Sequence, residues 1–239
     1  MTKLIAFFFV ALLGITLRWL IIGEYNPTQL QLAFILLAAA PFILLISLVQ
    51  KKKDEVYKPL HPNNEWSTSL KDKWLTGSKK LYYGYNLVAT FNRVYEKTYH
   101  KVIADLMNTP GLWFLKLQFN FENGNSYFVK SEDKKKQNTL FVIFDENIPI
   151  AEMITDMRVK NIKKLIENIN LKIDKRVYEF RARSIRSDIE IYKDGGRVGL
   201  INRNSNGIRT LTFKEEAVSK EDKPILLIGW ITFTYRFDK

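Results

Sequence analysis

Two blocks near the start of the chain are apolar at almost every position. The first is LIAFFFVALLGITLRWLIIG, Leu4 to Gly23, and the second is LAFILLAAAPFILLISLV, Leu32 to Val49. A helix needs roughly 20 mainly apolar residues to cross a bilayer. A helix that is apolar all round is covered either by lipid or by a large core. The pattern therefore predicts a transmembrane α-hairpin with helices over 4–23 and 32–49. A cleaved signal peptide fits the first block less well, because Arg18 interrupts it and a second apolar run follows. Arg18 is expected to snorkel to the headgroups beside Trp19, the alternative being a buried charge facing the second helix. Pro41 predicts a kink or a packed break.

After Lys53 the pattern changes. Residues 54–78 hold two prolines, an Asn pair and little periodicity, which predicts a linker with a short helix around Leu70 to Leu75. A β-rich domain is expected over 79–239. Leu87 to Tyr95 predicts a strand, and Val102, Ile103, Leu106 and Met107 share one face of a short helix that Asn108-Thr109-Pro110-Gly111 ends. Leu115, Leu117, Phe119 and Phe121 alternate with polar residues ahead of an Asn-Gly turn, which predicts a hairpin. Ile162, Leu165, Ile166 and Ile169 recur at helical spacing and predict an amphipathic helix over Val159 to Ile169. Tyr178, Phe180 and Ala182 then alternate with Glu179, Arg181 and Arg183, which sends the arginines to the face opposite the aromatics.

One phrase occurs twice. Ile143 to Met153 (IFDENIPIAEM) aligns without a gap on Ile191 to Ile201 (IYKDGGRVGLI). In both, a small residue, Ala151 or Gly199, follows a branched one on the return strand. The unit is a strand, a polar turn and a strand, and its acidic residues follow from turn geometry rather than chemistry. The C-terminal run PILLIGWITF is too short to span a bilayer. It is either a last strand, since Thr232 and Thr234 alternate with apolar residues, or a helix buried on all sides.

Charge and composition narrow the functions. The chain has 239 residues, no cysteine, two histidines and a net charge of +12. Disulfides and thiolate metal sites are excluded, and imidazole is too scarce for an all-histidine zinc site. Lys3, Arg18 and Lys51 to Lys53 against Glu24 give +4 in residues 1–53, leaving +8 on the remainder. The connector EYNPTQLQ carries no Lys or Arg, so the basic flanks place both chain ends in the cytoplasm of a multi-pass protein of the cell membrane. No phosphate loop, nucleophile triad or carboxylate pair with recognisable context appears. Neither enzymatic activity nor a cofactor is expected.

The repeated hairpin IYKDGGRVGLI, its partner IFDENIPIAEMI and the final PILLIGWITF together resemble the tubby C-terminal-like superfamily, which includes LURP-one-related proteins and phospholipid scramblases. The resemblance covers Lys79 to Lys239. It implies a closed antiparallel barrel of about twelve strands around a hydrophobic C-terminal helix. A pleckstrin-like sheet with a terminal helix is the alternative fold. The function expected is a membrane-anchored domain that binds anionic phospholipid headgroups or scaffolds a membrane protein partner at the cytoplasmic leaflet. Scramblase-like lipid transport is the second reading. A nucleic-acid partner is not expected, because no recognition-helix motif is visible. Candidate headgroup contacts are Lys51, Lys52, Lys53, Lys134, Lys135, Lys136, Arg181, Arg183 and Arg186.

Overall fold

A computed structural model describes residues 2–60, 63–106, 114–132, 138–156, 166–183, 188–204 and 206–237. Helices α1 (Thr2–Ile22) and α2 (Pro27–Glu55) form the apolar hairpin. Asn26 caps α2, its side chain accepting from the Thr28 N–H at 3.0 Å, and Pro27 occupies the first turn where its missing donor costs nothing. The two helices pack through buried small residues, Ala33 and Ala40, and through the Phe8 and Phe34 rings. Both are long and apolar enough to cross a membrane. α2 runs unbroken through Pro41. Arg18 pairs with Glu24 at 2.7 Å, both side chains exposed, so it is an ion pair at the hairpin's connector rather than a charge buried against α2.

Twelve strands close into one antiparallel barrel. They are β1 (Trp66–Ser69), β2 (Lys79–Tyr83), β3 (Asn86–Arg93), β4 (Lys116–Phe121), β5 (Ser126–Glu132), β6 (Leu140–Asp145), β7 (Ile148–Thr155), β8 (Glu167–Ile173), β9 (Arg176–Ala182), β10 (Ile189–Lys193), β11 (Gly196–Arg203) and β12 (Ile208–Phe213). Each strand pairs with its sequence neighbours, and β1 closes the ring by pairing with both β2 and β12. A short helix, α3 (Thr98–Leu106), lies between β3 and β4. The last helix, α4 (Asp222–Phe237), fills the barrel. Every residue from Leu226 to Tyr235 is buried, so all of its faces are covered by inward-pointing side chains such as Phe91, Phe119, Phe180 and Leu211. The barrel thus supplies the all-round cover that continuous apolarity demands, and Leu226 to Tyr235 is helix rather than edge strand.

Two expectations are corrected. Residues 54–78 are not a linker. Trp66–Ser69 is the strand that completes the barrel, and Leu70, Asp72, Lys73 and Leu75 are buried without forming a helix. Their burial comes from contacts distant in sequence, which local pattern does not reveal. The helix expected over Val159 to Ile169 overlaps β8. Residues 157–165 lie outside the described residues, but Glu167–Ile173 is strand, with Ile169, Leu171 and Ile173 facing inward. Its period-two alternation shares Ile169 with the helical series, and the pairing with β7 and β9 decides between them.

The repeated phrase is a bulged hairpin, and it occurs three times. Ile143 pairs with Ala151 and Ile191 with Gly199, and each pair is followed by a one-residue bulge that adds Ile150 or Val198 to the return strand. Leu81 pairs with Ala89 in the same way, with Val88 as the extra residue. The three hairpins are β2–β3, β6–β7 and β10–β11, every fourth strand around the ring. The bulge places two consecutive residues toward the core, so the second must be small. At Gly199 an added Cβ would lie 3.1 Å from Ile191 Cδ1 and 3.2 Å from Phe213 Cδ1. Gly199→Leu is therefore expected to cost about 1–3 kcal/mol through overpacking, read as a lower urea midpoint. An unchanged midpoint would show that the bulge tolerates a full side chain.

Candidate functional site

Antiparallel up-and-down topology sorts the connections onto two poles. The tight turns of β2–β3, β4–β5, β6–β7, β8–β9 and β10–β11 lie at one pole, marked by left-handed residues that include Glu146, Asp174 and Asp194. The longer connections leave the opposite, proximal pole, where α2 meets the barrel. These span residues 70–78, 94–115, 133–139, 156–166, 183–188 and 204–207.

The proximal pole is polarised in charge. Its connections contain 13 Lys and Arg against 6 Asp and Glu, a net +7. The connections of the distal pole, including 214–221, contain 3 against 7, a net −4. Eight of these Lys and Arg and one of the acids lie outside the described residues, so the surplus belongs to connections whose flanking strand ends stand at the proximal pole. Lys52 and Lys53 are exposed on the last turns of α2, and Lys51 pairs with Glu55 at 3.7 Å. Lys134, Lys135, Lys136 and Arg186 lie outside the described residues. The residues flanking them, Glu132 and Asn138, Arg183 and Asp188, stand at the proximal pole.

The outer-face arginines are engaged. Arg181 makes a two-pronged contact with Glu179, both oxygens 2.8 Å from Nη2, and stacks over the Tyr192 ring at 5.0 Å. Arg183 lies 3.6 Å from Glu190, which also accepts from Tyr192 at 2.8 Å and Arg197 at 3.3 Å. The Tyr192 hydrogen bond, with the two guanidinium groups behind it, holds the Glu190 carboxyl below the usual carboxylate range. Arg181 and Arg183 are therefore held by carboxylates on the outer face of the barrel.

Between α2 and the barrel sits a plug formed by residues 70–76. Asp54, in the last turn of α2, is 1% exposed. Its carboxylate accepts from Ser69 Oγ at 2.7 Å, from the Lys71 N–H at 3.0 Å and from the Asp72 N–H at 2.9 Å. Arg93 donates to the Lys73 carbonyl and Arg209 to the Leu70 carbonyl, so buried side chains answer the plug's backbone groups. Lys73 Nζ donates to the Thr234 carbonyl at 3.2 Å, placing a cation at the negative end of α4.

Lys79, Arg93 and Arg209 continue the inward faces of β2, β3 and β12, so cations line the barrel interior beside that helix end. The Lys79 ammonium is fully buried and has no hydrogen-bond partner among the described residues. Burial raises the Asp72 carboxyl above its ordinary value, against the pull of Lys79 and of two backbone N–H groups. Burial likewise lowers the Arg93 guanidinium. The inward position of Arg93 was legible, since it continues the alternation of Ala89 and Phe91. Asp54 carried no such signal, because its partners are fifteen or more residues away.

Among the described residues the distal pole has one buried acid. Asp222 opens α4, accepts from the Tyr178 hydroxyl at 2.7 Å and pairs with Arg176 at 3.1 Å. Burial and this hydrogen bond push the Tyr178 hydroxyl well above its ordinary value. The trio anchors the start of α4. Among the described residues no group of three or more His, Cys, Asp or Glu is arranged to hold a metal ion. Compared with known proteins, the chain matches no family model, no curated protein and no solved structure.

Proposed function

We propose that the chain is a membrane-anchored, non-enzymatic module whose barrel binds anionic phospholipid headgroups at the cytoplasmic leaflet. The observation that carries the reading is the charge polarity: +7 on the connections facing the apolar hairpin and −4 on those facing away. A basic group near an anionic leaflet contributes about 1 kcal/mol, so a pole of this charge held beside the bilayer would bind headgroups through many weak contacts. The hairpin would cross the membrane twice, with Lys51 to Lys53 at the cytoplasmic boundary. A closed twelve-strand barrel filled by a C-terminal helix supports the tubby-like reading over the pleckstrin-like one. The lysines of 133–137 and 157–165 and the exposed Lys52 and Lys53 are the headgroup contacts of choice. Arg181 and Arg183 are set aside because Glu179 and Glu190 hold them.

Thermal unfolding of the full-length protein in neutral detergent tests this. A ligand present at a hundredfold excess over its Kd stabilises by about 2.7 kcal/mol. Phosphatidylglycerol is expected to raise the unfolding temperature while phosphatidylcholine does not. High salt, or Lys→Glu exchange at Lys134, Lys135 and Lys136, is expected to reduce the rise. Equal shifts with the two lipids would overturn the proposal.

A further inference from the structure

Helix α3 packs against α1 at the proximal pole. Its sequence places Tyr99, Val102 and Ile103 on one face, while His100 and Ala104 lie on another. In a soluble domain the first face would turn inward. Here the reverse holds. His100 and Ala104 are buried, His100 stacking flat on Phe114 at 3.9 Å, whereas Tyr99 is 51% and Val102 45% exposed and Ile103 is half-buried. The polar flank is basic and aromatic, with Lys97 over the Tyr99 ring at 5.7 Å and Lys101 over Trp74 at 5.3 Å.

α3 adjoins the apolar helix α1. α1 has 21 residues and α2 has 29. At 1.5 Å per residue, α1 is about 31 Å long, close to the hydrocarbon thickness of a bilayer, and α2 outruns it by about 12 Å. The excess length carries Lys51 to Asp54 to the barrel. Because α3 stands at the proximal pole and still reaches α1, it meets α1 at the end beside the barrel, at the level of the bilayer boundary.

We infer that α3 is an in-plane interfacial helix, with Tyr99 and Val102 seated at the boundary between headgroups and acyl chains and Lys97 and Lys101 among the headgroups. This arrangement of aromatic and apolar residues flanked by lysine is what an interfacial helix requires. The barrel is then held at two places, by α2 through Asp54 and by α3 through the bilayer surface, which fixes the basic pole toward the lipid. The inference rests on the reading of α1 and α2 as membrane-spanning.

The chain has no cysteine, so single labels can be placed without background. Tyr99→Cys, Val102→Cys, Leu13→Cys in α1 and Ile148→Cys at the distal pole would each carry a nitroxide in full-length protein reconstituted into nanodiscs of phosphatidylcholine and phosphatidylglycerol. Collisional relaxation by oxygen and by a water-soluble nickel chelate reports depth. The oxygen-to-nickel ratio is expected to be highest at 13, lowest at 148 and intermediate at both 99 and 102. Ratios at 99 and 102 equal to that at 148, with 13 still shielded, would overturn the interfacial helix and leave the spanning hairpin standing. A ratio at 13 as low as that at 148 would overturn both.

Discussion

Trp230→Ala is expected to destabilise the barrel by about 3–5 kcal/mol, the range for removing a large aromatic from a packed core. Trp230 is fully buried on α4, a helix whose side chains are the filling of the barrel. Truncation leaves a cavity that the closed ring of hydrogen bonds cannot collapse onto. Domains of ordinary stability unfold with about 5–15 kcal/mol, so the variant should lose a large part of its unfolding free energy. The measurement is chemical denaturation of the full-length protein followed by far-ultraviolet circular dichroism. A change below about 1 kcal/mol would mean that α4 does not fill the barrel. Gly229→Ala probes the same contact from the other side. Its added Cβ would lie 3.0 Å from Phe180 Cζ and 3.2 Å from Leu171 Cδ2, so those side chains would have to give way by a few tenths of an ångström to admit it.

The second large effect is expected at Asp54. Asp54→Ala strips the acceptor from the backbone N–H groups of Lys71 and Asp72 and from Ser69 Oγ. A buried donor left without a partner costs about 1–3 kcal/mol, so a loss of about 3 kcal/mol is expected, with Asp54→Asn milder because its amide oxygen still accepts. The loss should be local first. Residues 70–76 would come away from the barrel end, and trypsin would reach Lys71 and Lys73 under conditions where the unaltered protein resists. Unchanged cleavage in the alanine variant would show that the carboxylate does not hold the plug. The structural consequence reaches beyond stability. Asp54 is the joint between a helix long enough to span a membrane and the barrel, and freeing it would let the basic pole turn away from the hairpin.

Much of the architecture was legible because it is periodic. The two apolar helices are visible as long unbroken runs. Strands such as Lys116–Phe121 and Arg176–Ala182 announce themselves by alternation, and the β4–β5 and β10–β11 turns by Asn-Gly and Asp-Gly-Gly. The repeated hairpin was visible twice but not the third time. In LYYGYNLVATF the polar turn is replaced by a tyrosine-flanked glycine, so residue classes no longer match while the bulge and the branched–small pair do. Residues 66–76 were illegible for the opposite reason. A four-residue strand and an irregular plug have no period, and what orders them is pairing with β12 and β2 and hydrogen bonds from Asp54, Arg93 and Arg209.

The candidate site divides in the same way. The surplus of lysine and arginine is a property of composition, and its total needs no structure. Which cations act together does. Residues 134–136, 158–164 and 51–53 are far apart along the chain, and only the up-and-down closure brings the connections that carry them to the pole where α2 enters. Arg181 meets Glu179 two residues back on its own strand, and the pairing of β9 with β10 brings Arg183 to Glu190.

By itself, then, the sequence determined the apolar hairpin, most of the strands and the excess of positive charge, because each is written in local periodicity or in composition. Only the tertiary structure decided that the last apolar run is a helix, since strand-like β-branched residues and helix-like continuity conflict locally and the barrel's enclosed volume settles them. It alone decided from which pole each charged connection leaves, because the end of a strand at which a loop emerges depends on how many strands precede it.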